Sequence, residues 1–123
     1  HFQLDPFVET KLVRCISGSI YDVIIDLRAG SSTFLHWFAA ELSSDNRIMM
    51  YIPKGFAHGF QTLTDNCELL YAHSAFYKPG FEGAVKYDDP SVNISWPLPL
   101  TELSEKDSHH PLLTNEFKGL NIL

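Results

Sequence analysis

A lysine, two histidines, a tyrosine and an aspartate stand out as residues able to do acid–base chemistry. Lys11 heads an alternating run, "KLVRCIS", whose Lys11 face also carries Val13 and Cys15, so that face is not plainly solvated. If Ser17-Gly18 is a two-residue hairpin turn, Lys11 falls opposite Ile24 with Asp22 and Asp26 as diagonal neighbours. Such a lysine is either a weak surface ion pair or a cation aimed into a pocket, where it would stabilise a developing oxyanion. "IPKGFAHGF" sets His58 after a proline and a glycine. With a turn at Thr64-Asp65, His58 faces Tyr71, either as a satisfied core pair or as titratable groups in a pocket. Asp107 closes "SEKD", where Ser104 can cap a short helix and Asp107 takes the fourth position of a capping box. His36, His73, His109 and His110 show no spacing that favours chemistry.

The elements that must position these groups are strands. Along "SIYDVIIDLR" Tyr21, Val23, Ile25 and Leu27 share one face, and Ile20, Asp22, Ile24, Asp26 and Arg28 the other. "TFLHWFAAEL", "RIMMYIP", "AHGFQTL" and "CELLYAHSAFY" read as further strands, broken by "SSDN", Pro53-Lys54-Gly55 and "TDN". "KPGFEG" reads as a loop. Three prolines in "DDPSVNISWPLPL" suit loops and edges. Short strands with closely spaced turn signals predict an all-β sandwich or barrel.

The chain has 123 residues, which suits a single domain over 1–123. A net charge of −6 argues against a broad nucleic-acid footprint, although a few local Lys or Arg suffice to hold a phosphate. Cys15 and Cys67 form no CxxC, which fits free thiols in a reducing cytosol. No apolar run reaches the ~18–20 residues of a membrane span, and no signal-peptide pattern is visible. The expectation is a cytoplasmic protein without membrane or nucleic-acid partners.

"HFQ", "KLVR", "SGSIYDVIIDLRAGSSTF", "YIPKGFAHGF", "ELLYAHSAFYKPGFEG", "YDDPSVNISWP" and "LSEKD" occur in the order and near spacing of the dTDP-4-dehydrorhamnose 3,5-epimerase family. The resemblance runs from His1 to about Leu113, and "PxGFAHGF" with "DLRxGSxTF" is its most specific part. It implies a cupin-like jelly-roll β barrel with short C-terminal helical segments, forming a homodimer. It also implies inversion of C3 and C5 of a dTDP-4-keto-6-deoxyhexose with no cofactor and no metal. The H-x-H pair of metal-binding cupins is here His1-Phe2-Gln3, with one histidine only. By resemblance His1 is the catalytic base, Asp107 its carboxylate partner, Lys11 the cation at the keto oxygen and Tyr71 the acid. His58, Arg14, Glu82 and Lys106 are substrate-binding. The chain starts at the family's histidine, without the N-terminal segment whose Arg-Gly-Leu precedes it. Taken literally, that leaves sheet edges exposed. Ala72, and Tyr87-Asp88-Asp89 in place of Trp-Asn-Asp, depart from the family pattern. Single-centre epimerases share these motifs and are an alternative; an idle sugar-nucleotide binding module is another, against which the retention of His1, Lys11, Tyr71 and Asp107 together argues.

Overall fold

The computed structural model describes residues 1–122. The strands are β1 (Phe2–Gln3), β2 (Lys11–Ser17), β3 (Ser19–Asp26), β4 (Trp37–Ser43), β5 (Met49–Ile52), β6 (Phe56–Thr62), β7 (Glu68–His73) and β8 (Glu82–Gly83), followed by one short helix, α1 (Glu105–Ser108). Two antiparallel three-stranded sheets, ordered β5-β2-β7 and β4-β3-β6, face each other, and β1 pairs with β8 beside them. The chain behaves as a long hairpin with arms β2-β3-β4 and β5-β6-β7. Rolling it up brings β2 against β7 and β3 against β6, which is jelly-roll pairing. The sheets form an open sandwich and do not close into the expected barrel.

The predicted hairpin at Ser17-Gly18 does not form. Both flanks of β2 are taken by β5 and β7, and both flanks of β3 by β4 and β6. Gly18 instead turns the chain from one sheet to the other at φ +80°, with Thr64 Oγ1 and Cys67 Sγ where a Cβ would stand. Gly55, at φ +87°, makes the crossing from β5 to β6, pressed against the Arg28 side chain. Both turns need a left-handed backbone with no side chain, which only glycine supplies without strain.

Two apolar clusters hold the sandwich. Val13, Cys15, Met50 and Ile52 from one sheet meet Ile20, Ile24 and Leu42 from the other. On the far side of β3, Ile25, Leu27, Ala57 and Val92 pack under the C-terminal segment, against Trp37, Leu113, Phe117 and Leu120. The central strand β3 is therefore covered on both faces, which its near-continuous "VII" run reflects.

The "DLRAGSSTF" stretch is a knot around one buried carboxylate. Asp26 accepts from Arg28 N, Nε and Nη2, from Ser31 Oγ and from Thr33 Oγ1, at 2.6–2.9 Å. Burial pushes this carboxyl up, but the Arg28, Ser31 and Thr33 hydrogen bonds outweigh that and hold it well below the ordinary carboxylate range. The knot also delays β4 to Trp37, because Thr33 and Leu35 are occupied with Asp26. "EG" of the expected loop "KPGFEG" is strand β8. "CELLYAHSAFY" is strand only over Glu68–His73.

Candidate active site

His1 is fixed by its main chain and aimed by its side chain. Its N–H donates to His58 O at 2.9 Å and its carbonyl accepts from His58 N at 3.0 Å, so it lies along the free edge of β6. Its Nε2 meets Asp107 Oδ1 at 2.7 Å. An ionised carboxylate only accepts, so Nε2 carries the proton and Nδ1 is left to act as a base.

Asp107 is oriented by its helix. Ser104 caps α1 as the sequence predicts, its extended backbone placing Oγ to accept from Asp107 N at 3.0 Å. The Asp107 carboxylate accepts from His1 and, at 3.0 Å on the same Oδ1, from His110 Nε2. Partial burial pushes its pKa up, but the His110 hydrogen bond and the nearby His1 outweigh that and hold it below the ordinary value.

His58 and Tyr71 do meet, their rings edge-on with centroids 5.8 Å apart, but not as a hairpin pair. His58 is in register with Ile24 and Tyr71 with Val13, on opposite sheets. They approach across the sandwich interior. The sequence pattern gives the direction of each side chain but not its strand partner, so a shared interior was read as a shared strand pair.

Lys11 is buried, and its nearest carboxylate is Glu9, with Nζ to Oε1 at 3.7 Å. Asp22 acts on it across the interior, while Asp26 is committed to its own knot. Burial lowers the Lys11 pKa below the ordinary lysine value, and Glu9 and Asp22 oppose that shift in part. Burial pushes the Tyr71 hydroxyl above its ordinary value and the Asp22 charge adds to this, so the phenol stays protonated.

Three contributors have no site role assigned from the sequence. Asp22, completely buried, receives His58 Nε2 at 2.6 Å on Oδ1, and its Oδ2 has no partner among the described residues. The signal was an aspartate on the Ile20/Ile24 face. Glu9, two residues before Lys11, also accepts from His73 Nδ1 at 3.1 Å. His110, expected to have no spacing that favours chemistry, lies three residues past Asp107, just beyond α1, and shares its Oδ1.

One cavity of about 660 Å³ is lined by His1, Lys11, His58, Tyr71, Asp107 and His110 and walled by Val23, Ile25, Trp96 and Leu98. Its size suits a small molecule with apolar and polar parts. Gln61 clasps the Leu98 main chain at both N and O, at 3.1 and 2.9 Å, which holds the wall segment in place. A second cavity of about 690 Å³ shares His1 and Lys11 and adds Glu82 and Lys106, which form a long ion pair at 3.7 Å. Arg14 belongs to neither. It is exposed on the outer face of β2, opposite in direction to Lys11 and Val13. No helix among the described residues is long and apolar enough to cross a membrane.

Comparison with known proteins identifies the family. The sequence profile described as dTDP-4-dehydrorhamnose 3,5-epimerase matches residues 1–115. A curated relative of that name from Sinorhizobium fredii is 46% identical over 114 residues, covering 92% of this chain and 58% of its own length. The crystal structure of the Bacillus anthracis enzyme of that name, with TDP and PPi bound, superposes with a TM-score of 0.88 at 42% identity, covering 91% of this chain and 64% of that one. A 3'-monoepimerase from Streptomyces bikiniensis in complex with dTDP-quinovose superposes at 0.83 with 31% identity, over 90% of this chain and 57% of its own. The chain thus spans less than two thirds of the length of these relatives. On the match over residues 1–115 and the similarity of these relatives, the chain belongs to the dTDP-4-dehydrorhamnose 3,5-epimerase family.

Proposed function

We propose that the protein epimerises a dTDP-4-keto-6-deoxyhexose at C3 and C5, in dTDP-rhamnose or related deoxysugar biosynthesis, by proton abstraction and reprotonation. The observation that carries this reading is the His1–Asp107 pair opening onto the same cavity as Lys11 and Tyr71. A C–H beside a ketone loses its proton when the resulting charge is held as an enolate. His1 Nδ1 takes that proton. Asp107, held below its ordinary pKa and hence ionised, fixes the ring tautomer and stabilises the imidazolium. The Lys11 ammonium, itself buried, stabilises the enolate oxygen. Tyr71, kept protonated, returns a proton to the carbon, and inversion requires that it come from the face opposite His1. His58 lines the sugar region, and Glu82 and Lys106 flank the second cavity for the remainder of the nucleotide.

Incubation of the substrate in D₂O tests this. Deuterium should enter both C3 and C5, and a His1→Ala variant should incorporate almost none. The Streptomyces relative, by name a 3'-monoepimerase, favours a second reading in which one centre is inverted. Deuterium at a single carbon would establish that instead.

The outer face of the β5-β2-β7 sheet supports assembly as a homodimer. Leu12, Ile16, Met49, Tyr51 and Leu70 lie together there, and all but the half-buried Leu12 are exposed, an apolar patch of the kind that marks an interface. Sedimentation should give a dimer, and Tyr51→Glu with Leu70→Glu should give monomers. A nucleotide-sugar substrate and two free cysteines support a cytoplasmic location.

A further inference from the structure

We propose that His1, Asp107 and His110 form a binding site for a first-row divalent cation, zinc foremost, and that its occupancy silences His1 as a base. Nε2 of His1 and Nε2 of His110 converge on the single atom Asp107 Oδ1, at 2.7 and 3.0 Å. The ligating atoms of the three residues all lie within 4.8 Å of one another. The two rings stand at 80° with centroids 5.5 Å apart, so they meet edge to face rather than stacking. Two imidazoles and one carboxylate make a donor set that zinc accepts, and they leave a fourth position open. Magnesium and calcium call for oxygen ligands and are poorly served here. Zinc bonds of about 2.0–2.1 Å place tetrahedral ligand atoms roughly 3.3 Å apart. The two contacts at Asp107 are already near that spacing. The cluster borders the main cavity, so an ion reaches it from solvent.

The consequence for His1 follows from proton positions. Neutral His1 carries its proton on Nε2, donated to Asp107, and keeps the Nδ1 lone pair. A cation bound at Nε2 needs the lone pair there, so the ring proton moves to Nδ1. No net proton is lost from the neutral ring, but Nδ1 can no longer accept one. Asp107, now a ligand, no longer serves as hydrogen-bond acceptor to that ring. This part of the inference rests on the epimerase reading, while the binding site itself does not.

Protein stripped with a chelator and titrated with zinc chloride against a competing zinc dye tests the site. The expected result is one zinc per chain, with binding weakened at least about tenfold in both His110→Ala and His110→Gln. Binding should weaken as pH falls and protons compete for the imidazoles. Magnesium chloride should not displace the zinc. The ¹⁵N shifts of the His1 ring should report a proton moving from Nε2 to Nδ1, a readout independent of turnover. Zinc should suppress solvent exchange into substrate in the wild type, and at the same concentration should leave each His110 variant near its own zinc-free rate. Equal zinc affinity in wild type and both variants, or no binding, overturns the site. Stoichiometric binding with an unchanged His1 tautomer and undiminished exchange overturns the switch. A His110-dependent site with the tautomer shift, in a protein that exchanges nothing even without zinc, would leave the inference standing and remove the epimerase reading.

Discussion

His1 and His58 exchange two main-chain hydrogen bonds at the edge of β6, yet their rings are held by carboxylates from different parts of the chain, Asp107 at 2.7 Å and Asp22 at 2.6 Å. The side chain of His1 is 50% exposed and that of His58 only 5%. The neighbours therefore differ in kind: one is open to solvent and the cavity, and the other lines the cavity from the interior, locked to Asp22.

That difference separates two substitutions. His1→Ala should fold normally and lose solvent exchange on the order of 10²–10⁴-fold, the usual contribution of a positioned base. His58→Ala strips Asp22 of its hydrogen-bond partner in a fully buried position. Breaking a buried pair in this way costs about 3–5 kcal/mol. Urea unfolding should show a large loss for His58→Ala and almost none for His1→Ala. The reverse order would refute the division of roles.

Tyr71→Phe separates proton removal from proton return. His1 still abstracts, so deuterium should continue to enter substrate. Inverted product should fall on the order of 10²-fold or more, because the acid is gone. Mass spectrometry of recovered substrate and chromatography of the epimers measure the two quantities side by side. Equal loss of both would assign Tyr71 to the abstraction step.

The alkaline limb of the pH–rate profile should belong to Lys11 and not to Tyr71. Burial lowers the Lys11 pKa, so its ammonium is lost at a lower pH than that of an ordinary lysine. Burial raises Tyr71, which keeps its proton over the same range. Activity should fall as pH rises through the lowered Lys11 value, and Lys11→Arg should move that limb upward, whereas Tyr71→Phe should leave it in place. Stability runs the other way. Between the lowered value and the ordinary one of 10.5 the unfolded chain binds more protons than the folded, so the Lys11 contribution to stability rises with pH. A Lys11→Met variant should lack that rise in denaturation measured against pH.

Asp26 should govern acid stability without touching chemistry. Its folded pKa is depressed by Arg28, Ser31 and Thr33, so its contribution is complete above the ordinary carboxylate value and is lost as pH falls through the folded one. Asp26→Asn should cost about 3 kcal/mol at neutral pH and flatten the acid side of the stability curve. Thermal melts of both proteins at several pH values decide it. An unchanged acid slope in the variant would show that other carboxylates dominate.

Side-chain direction was readable from the sequence, while pairing was not. Alternation put Lys11, Val13 and Cys15 on one face of β2 and Asp22 and Ile24 on one face of β3, and the structure turns both faces inward. It could not tell that Gly18 makes a corner between sheets, because a glycine spacer suits a corner as well as a hairpin. Ser104 was legible as a cap because capping is local. Asp22 as the partner of His58 was not, since it depends on β3 lying beside β6. The motif resemblance gathered His1, Lys11, Tyr71 and Asp107 without any pairing, but it could not reveal that Arg14 points out of the sandwich. His110 was lost because the reading of α1 stopped at its last carboxylate, one turn short of the residue that shares it.

His1 and Asp107 are 106 residues apart in sequence, and β2 finds β7 only after the whole rolled hairpin has come together. Contacts this distant form late and slowly, because the chain must close its longest loops first. His1 and Asp107 should therefore be among the last parts to meet. During refolding, sheet signals and core fluorescence should recover before exchange activity does. Catalytic competence would then mark the completion of folding rather than its onset.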